Sequence, residues 1–215
     1  MFKIQKFEVN ENKIFSKILN IQKPPKNLYS IGDINLLDSK NKIVSIIGTR
    51  KPSLYGINAT KKLISGLKNK NIVVISGFAL GIDSLVHQEC LKNNIKTVAI
   101  TAFGFKHIYP KINKNLFLEI AKNGLVISEF EPNIASKKEY FKQRNRLISG
   151  FSQLLIVIES KRKSGTLNTV MHAIDQNIDI GVVPFPIFDD QSNNTLIKNG
   201  AFLIESSTDI LDLLK

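Results

Sequence analysis

Short runs of Ile, Val and Leu alternate along most of the chain with longer stretches in which apolar residues recur at helical spacing. The short runs predict strands buried on both faces, and the longer stretches predict amphipathic helices. The predicted strands are Ile43–Ile47, Ile72–Ile75, Thr97–Thr101, Leu125–Ile127, Leu154–Ile158, Ile180–Val183 and Phe202–Ile204. The predicted helices are Ile57–Lys68, Asp83–Lys92, Asn115–Ala121, Asn145–Phe151, Leu167–Asp175 and Thr208–Leu214. This alternation predicts an α/β fold with a mostly parallel sheet and helices on both faces.

The first 40 residues follow a different pattern. One apolar helical stripe precedes the helix-breaking Pro24-Pro25 and consists of Ile14, Phe15, Ile18 and Leu19. We expect residues 1–40 to form a short helical lead-in packed on the edge of the sheet, and residues 41–215 to form the main domain. A chain of 215 residues suits this arrangement, because domains average ~150 residues.

The composition is that of a globular protein with a strong positive charge. A hydrophobic fraction of 43% and a charged fraction of 22% argue against intrinsic disorder. The chain carries 30 Lys and Arg against 18 Asp and Glu, which gives a formal net charge of +12. This excess suits a polyanionic partner and suits simple solubility equally well, so both explanations stay open on charge alone.

The sequence also predicts a location. Cys90 is the single cysteine, which excludes an internal disulfide and favours a reducing cytoplasm. The amino terminus has no apolar core of signal-peptide length, and no segment approaches the ~18 apolar residues of a membrane span. We therefore expect a cytoplasmic protein that is neither exported nor inserted in a membrane.

The arginines are few and grouped. Arg50, Arg144, Arg146 and Arg162 are the only arginines among the 30 basic residues, and they fall in three short segments next to loops or helix starts. The lysines, in contrast, are spread along the whole chain. Because arginine offers a planar, bidentate donor that lysine cannot replace, these three segments are the first candidates for a binding site.

Three predicted strand-to-helix turns contain small residues. They are Gly48-Thr49-Arg50-Lys51-Pro52, the turn that begins at Ser76-Gly77, and Ser164-Gly165-Thr166. At the carboxyl ends of parallel strands, such turns converge on one crevice where free backbone N–H groups attract phosphates. The chain has no Gly-x-Gly-x-x-Gly and no Gly-Lys-Ser/Thr motif, so binding of an ordinary dinucleotide or nucleoside triphosphate is poorly supported and no cofactor is predicted.

The segment from Lys137 to Arg146 interleaves aromatic and basic residues. Stacking of a base on an aromatic ring contributes ~1–3 kcal/mol with any base, while cations follow the phosphate backbone. This combination favours single-stranded nucleic acid. The alternative is structural: Tyr140 and Phe141 would then anchor the core, and the cations would belong to a solvated helix start.

Together, six segments resemble the DprA (Smf) family of DNA-processing proteins, over a span from about Pro25 to Leu211. In chain order they read IVSIIGTRKPSLYG, VVISGFALGIDSLVHQECL, KHIYP, GLVISEF, FKQRNRLISGFSQLLIVIESKRKSGTL and IKNGAFLI. The resemblance implies an extended Rossmann-like fold that is usually dimeric and binds single-stranded DNA. Family members protect incoming DNA during natural transformation and help to load the RecA recombinase onto it, so RecA is the protein partner that the resemblance implies.

The resemblance also implies a DNA site with three walls. The first wall consists of Gly48, Thr49, Arg50 and Lys51, with Ser76 and Gly77 as the adjacent phosphate-contacting turn. The second consists of Lys138, Phe141, Arg144, Asn145 and Arg146, which supply backbone charge, base stacking and pocket structure. The third consists of Lys163, Ser164, Gly165 and Thr166.

The sequence departs from the family pattern in three respects. Leu80 stands where many members have arginine, which removes one phosphate contact and implies lower affinity. Pro184-Phe185-Pro186 replaces the usual Pro-Gly after the sixth predicted strand. The extra domains that often flank the fold, including a C-terminal winged-helix-like domain, are not expected in this chain.

Catalytic alternatives are weaker. Asp83 and His87 lie four residues apart and could act as an acid–base pair, although capping and orienting a helix is the more common role of such residues. Glu129 and Glu159 each follow a strand and could act as a general base, or they could hydrogen-bond to neighbouring turns. No histidine has a partner at metal-ligand spacing, so no metal site is predicted.

Two rival functions stay open. The first is a nucleoside-monophosphate phosphoribohydrolase, whose Pro-Gly-Gly-x-Gly-Thr turn and following glutamate are missing from residues 159–166. The second is a Rossmann-like nucleotide-binding protein that senses a small ligand. The sequence favours a non-catalytic protein that binds single-stranded DNA over both.

Overall fold

A computed structural model describes residues 2–162, 164–187 and 192–214. The strands are β1 (Gln5–Glu8), β2 (Asn27–Gly32), β3 (Lys42–Ile47), β4 (Ile72–Ser76), β5 (Lys96–Thr101), β6 (Leu125–Ser128), β7 (Leu154–Val157), β8 (Asp179–Val182) and β9 (Phe202–Leu203). The α-helices are α1 (Leu54–Gly66), α2 (Ile82–Lys92), α3 (Lys114–Asn123), α4 (Lys138–Gly150), α5 (Gly165–Asp175), α6 (Asn193–Lys198) and α7 (Ser207–Leu213).

The strands described above form one sheet in the order β1-β2-β6-β5-β4-β3-β7-β8-β9. Strands β3 to β9 pair in parallel, while β2 is antiparallel to both β1 and β6. The predicted α/β fold with a mostly parallel sheet is confirmed, and all seven predicted strands are present with nearly the expected ends. The sequence prediction missed β1, β2 and α6, and it began α4 at Asn145 instead of Lys138.

The two faces of the sheet are buried by different helices. Along β3, Ile43 and Ile47 point to one apolar cluster, while Val44 and Ile46 point to the other. The first cluster includes side chains of α4 and α5, and the second includes side chains of α1, α2 and α7. This alternation explains why the strand sequences are apolar almost without interruption, as expected for a parallel sheet covered on both faces.

The amino-terminal segment extends the sheet. The predicted helical stripe forms a 3-10 helix at Lys13–Asn20, in which Phe15 and Ile18 are fully buried and Leu19 is exposed. The Phe15 ring packs against Phe151 at the end of α4, with 6.3 Å between the ring centroids. The segment also supplies β1 and β2, which pair next to β6 at one edge of the sheet.

Strand β3 lies at the point where the strand order reverses. Its neighbours are β4 and β7, and the strands that follow along the chain continue outward from each of them. Such a reversal leaves a crevice at the carboxyl ends of the strands, which is where open α/β sheets bind their ligands. None of the helices described above is long and apolar enough to cross a membrane.

Candidate nucleic-acid interface

A cleft of about 740 Å³ lies at this reversal point. Its walls come from the turn after β3, the first turns of α4 and the start of α5. Ten of the predicted site residues line the cleft: Gly48, Thr49, Arg50, Lys138, Phe141, Arg144, Asn145, Ser164, Gly165 and Thr166. The topology therefore brings the three predicted walls together around a single cavity.

The rim of the cleft is positively charged. Arg50 and Lys138 are exposed at the cleft, and the exposed Lys137 and Lys142 join them although the sequence prediction did not include either. Asp83 is the only carboxylate among the described residues that line the cleft. An anionic ligand would therefore meet several exposed cations and, among the described lining residues, no exposed carboxylate.

Phe141 stands between two side chains that could share a ligand with it. The Arg50 guanidinium lies over the Phe141 ring, 5.1 Å from its centroid. The Tyr109 ring meets Phe141 edge to face, with 5.8 Å between centroids, and it is 47% exposed. Sequence reasoning missed Tyr109, whose only signal was its place in the KHIYP segment.

Tyr140, the neighbouring aromatic residue, is an anchor. Its ring stacks on Phe130 with 4.3 Å between centroids, and the Lys137 ammonium lies 5.6 Å from the Tyr140 centroid. These contacts favour the structural alternative for Tyr140. Phe141 instead lies half-buried in the cleft wall, where a base could reach it.

Arg144 is buried beneath the surface of the cleft and stabilises its wall. Its side chain is only 3% exposed, and its guanidinium donates to the backbone carbonyls of Gly77 and Ile100 at the ends of β4 and β5. Burial lowers the pKa of Arg144 to about 10, and the nearby Asp83 carboxylate opposes this shift. Burial raises the pKa of Asp83, and the charge of Arg144 counteracts that rise. The two buried charges thus stabilise each other.

Ser76 and Gly77 do not line the cleft. Both residues were expected to contact phosphate, but both are buried behind the cleft wall. The Ser76 hydroxyl donates to the Ile46 carbonyl at 2.7 Å. A side chain at Gly77 would come within 2.6 Å of the Asp83 carboxylate and 2.9 Å of the Arg144 guanidinium. Glycine at this position therefore makes room for the buried charges.

Three further predicted residues lie outside the cleft wall. Arg146 is buried and forms a bidentate ion pair with Glu129 at 2.7 and 2.8 Å, so it ties α4 to the end of β6. Lys51 is exposed next to the cleft without lining it. Lys163 lies outside the described residues.

The start of α5 presents unoccupied donors to the cleft. Ser164 precedes the helix without capping it, and its hydroxyl instead lies 3.0 Å from the Ser160 hydroxyl. Asn145 holds this end of α5 in place by donating to the Gly165 carbonyl at 3.3 Å and the Asn168 side chain at 3.1 Å. The first N–H groups of an uncapped helix suit an anion such as phosphate.

Two of the catalytic candidates, His87 and Glu159, are engaged in contacts within the protein. His87 is completely buried, with Nδ1 2.7 Å from the Thr97 hydroxyl, and burial together with the charge of Arg144 lowers its pKa to about 3. The Glu159 carboxylate accepts hydrogen bonds from the backbone and hydroxyl of Ser53. These contacts confirm a structural role for Glu159 and keep His87 neutral.

Sequence comparison finds relatives over most of the chain. The family described as DNA recombination-mediator protein A matches residues 6–215. DNA processing protein DprA from Bacillus subtilis is 38% identical over 91% of this chain and 66% of its own length. Protein Smf from Escherichia coli is 30% identical over 89% of this chain and 51% of its own length. The chain thus spans about half to two thirds of the curated relatives that it matches.

Solved structures agree with this result. DprA from Streptococcus pneumoniae superimposes with a TM-score of 0.91 at 35% identity, covering 98% of this chain and 74% of the other. DprA from Helicobacter pylori, whose structure is described as showing a single-stranded DNA binding mode, gives a TM-score of 0.88 at 32% identity, covering 99% and 96%. A molybdenum cofactor binding protein from Rippkaea orientalis, at 15% identity and a TM-score of 0.58, shares the fold alone.

Proposed function

Because the chain belongs to the DNA recombination-mediator protein A family, we propose that it binds single-stranded DNA in the cleft between α4 and α5. The observation that carries this proposal is the position of Phe141. Its ring is half-buried in the cleft wall, with the Arg50 cation on one side and the Tyr109 ring on another. This grouping provides a stacking surface for a base and a cation for the adjoining phosphate.

The remaining parts of the cleft suit the phosphate backbone. Arg50 and Lys138 supply charge at the cleft, and the uncapped start of α5 supplies backbone N–H donors. Contacts of this type carry no base preference. A base can reach Phe141 only when it is unstacked, so the cleft should favour a flexible single strand over duplex.

The cellular role is part of the same proposal. Relatives named DNA processing protein, in a family described as recombination mediators, support a role in protecting incoming DNA during natural transformation and in loading RecA onto it. This role requires no catalytic step, and we expect it to be carried out in the cytoplasm.

A homodimer is also proposed. In the described part of the chain, β9 pairs only with β8, and it exposes Phe202 and Leu203 at this edge of the sheet. An exposed apolar edge strand is a ready surface for a second copy. Sedimentation equilibrium should therefore give twice the mass of one chain.

A phosphoribohydrolase is less favoured by the geometry. Such an enzyme needs a carboxylate at its substrate, and Asp83, the carboxylate found among the described cleft residues, is buried beside Arg144. A fixed, buried group of this kind is poorly placed to act on a ligand in the cleft.

Fluorescence anisotropy of labelled oligothymidylate and a matching duplex, at two salt concentrations, tests the proposal. Wild type should prefer the single strand. Arg50→Ala should weaken binding and reduce the salt slope by about 0.7, the value for one phosphate contact on a single strand. Lys61→Ala, which removes an exposed charge on α1 that lines none of the cavities described, is the matched control. Equal weak binding of both DNAs by all three proteins would reject the proposal.

A further inference from the structure

A second cavity, of about 710 Å³, lies on the other side of α4 from the cleft. One wall is the turn at residues 22–26, and the other is formed by α4 and α5. We call it the α4 groove, and the side chains that matter for its chemistry are Lys23, Lys26, Glu129, Glu139, Lys142 and Arg146. The predicted site did not include this groove.

The floor of the α4 groove is neutralised by internal contacts. Arg146 engages both oxygens of Glu129, at 2.7 and 2.8 Å, and Gln143 donates to the same carboxylate at 3.0 Å. The negative charge of Glu129 is therefore balanced before any ligand arrives. A phosphate entering the groove would not meet an uncompensated carboxylate at its floor.

The walls of the groove carry free positive charge. Lys23, Lys26 and Lys142 are exposed, and none of them forms an ion pair with another described residue. Glu139 is the one exposed carboxylate among the described residues of the lining. The exposed groups of the groove thus have an excess of two positive charges.

The turn that carries Lys23 is held in an unusual conformation. Its backbone φ is +53°, a left-handed value that is uncommon for a residue other than glycine. Arg146 fixes this conformation by donating from Nε to the Lys23 carbonyl at 3.0 Å, and Pro24-Pro25 stiffens the chain that follows. Lys23 is thereby kept at the groove instead of moving freely with a loop.

The cleft and the groove are connected. Lys142 lines both of them, so a strand that left the cleft across α4 at this side chain would reach the groove. The cleft provides aromatic rings and cations, whereas the groove provides cations and a single partly buried ring among its described residues, the imidazole of His172. Its chemistry therefore suits a phosphate backbone more than a series of stacked bases.

We propose that the α4 groove binds the phosphates of the same single strand as it leaves the cleft across Lys142. This inference rests on the proposed function, and it extends the DNA path from one side of α4 to the other. Lys23 and Lys26 contact the backbone without reading its sequence. Glu139 repels the strand and limits its affinity for the groove.

A series of oligothymidylates lengthened one nucleotide at a time separates the two parts of this path. Wild-type affinity should rise as the oligonucleotide fills the cleft and rise again when it reaches the groove. The double variant Lys23→Gln/Lys26→Gln should bind the short members like wild type. For the long members it should lose the second rise and reduce the salt slope by about 1.4, for two phosphate contacts.

Two matched variants complete the test. Lys61→Gln/Lys68→Gln removes the same charge from two exposed positions, one on α1 and one in the turn that follows it, and should leave the whole length series unchanged. Glu139→Gln should raise affinity for the long members only, because it removes the repulsive charge. Far-UV circular dichroism would verify that each variant is folded.

The outcomes distinguish the inference from the proposed function. If wild type binds the short members, and the Lys23→Gln/Lys26→Gln series coincides with wild type at every length, the groove proposal is overturned while the cleft remains. If wild type binds no member of the series, the proposed function fails and the groove proposal fails with it.

Discussion

Arg144 shows how a single residue supports the cleft without forming its surface. It is buried, it donates to the ends of β4 and β5, and it lies close to the buried Asp83. Removing one member of such an arrangement leaves the other charge buried without compensation, which costs about 3–5 kcal/mol. Loss of DNA binding after an Arg144 substitution would therefore report on folding as much as on contact.

Acidification should destabilise the protein through His87. Its pKa in the folded state is about 3 because of burial and the charge of Arg144, whereas the ordinary value is 6.5. Between these values the unfolded chain binds a proton that the folded chain does not, so stability falls as the pH falls, by up to about 1.4 kcal/mol per pH unit. Asp83 has a raised pKa and acts in the opposite direction, because burial makes its carboxylate easier to protonate in the folded chain than in the unfolded chain.

Urea unfolding at about pH 5 and about pH 6 isolates the effect of His87. His87→Leu should lose less stability than wild type over this interval, and the exposed His107→Leu should behave like wild type. An identical loss in all three proteins would contradict a neutral, buried His87. Asp83 is present in each protein, so its contribution cancels in the comparison.

Single residues also show where sequence reasoning succeeded and where it stopped. The grouping of the arginines correctly marked segments that converge on the cleft, but it could not separate a contact from a support. Arg50 is exposed over Phe141, whereas Arg144 and Arg146 are buried and hold carbonyl and carboxylate groups. The difference depends on tertiary burial, which the spacing of charged residues does not reveal.

At the scale of elements, the start of α5 offers a clean test of phosphate contact. A Cβ atom added at Gly165 would have no protein atom within 4 Å. Gly165→Ala should therefore keep or slightly raise stability, since Ala is favoured over Gly in helices by up to about 1 kcal/mol. The added methyl group would obstruct a phosphate that approaches the helix N–H groups, and we expect roughly tenfold weaker binding of single-stranded DNA.

The measurement for Gly165→Ala combines a thermal melt with an anisotropy titration. Gly77→Ala is the contrasting variant, because its Cβ would lie 2.6 Å from the Asp83 carboxylate and should lower the melting temperature. A Gly165→Ala protein with wild-type affinity would remove the α5 amides from the contact list.

The elements differ in how well the sequence predicts them. The central strands were predicted nearly to the residue, because burial on both faces leaves an almost unbroken apolar run. The edge strand β1 was missed because its sequence QKFE is mostly exposed and carries no such run. The first turns of α4 were missed for a related reason, since Lys138 and its neighbours face solvent or the cleft and lack a full apolar stripe.

At the scale of the whole molecule, the order of the strands brings the separate parts of the site together. The turns after β3 and β7 and the start of α4 are far apart in sequence, and the reversal of strand order at β3 brings them to one cleft. The net charge of +12 alone was equally consistent with solubility. In the structure, cations cluster around the cleft and the α4 groove, which favours binding of a polyanion at these two places.

Photochemical cross-linking is the most direct test of where DNA binds. An oligonucleotide with 5-iodouracil should cross-link to the aromatic residues on which its bases stack, and trypsin digestion with mass spectrometry locates the linked peptide. We predict cross-links in residues 139–142, which contain Phe141, or in residues 107–111, which contain Tyr109. Cross-links confined to other surfaces, such as α1, would contradict binding in the cleft.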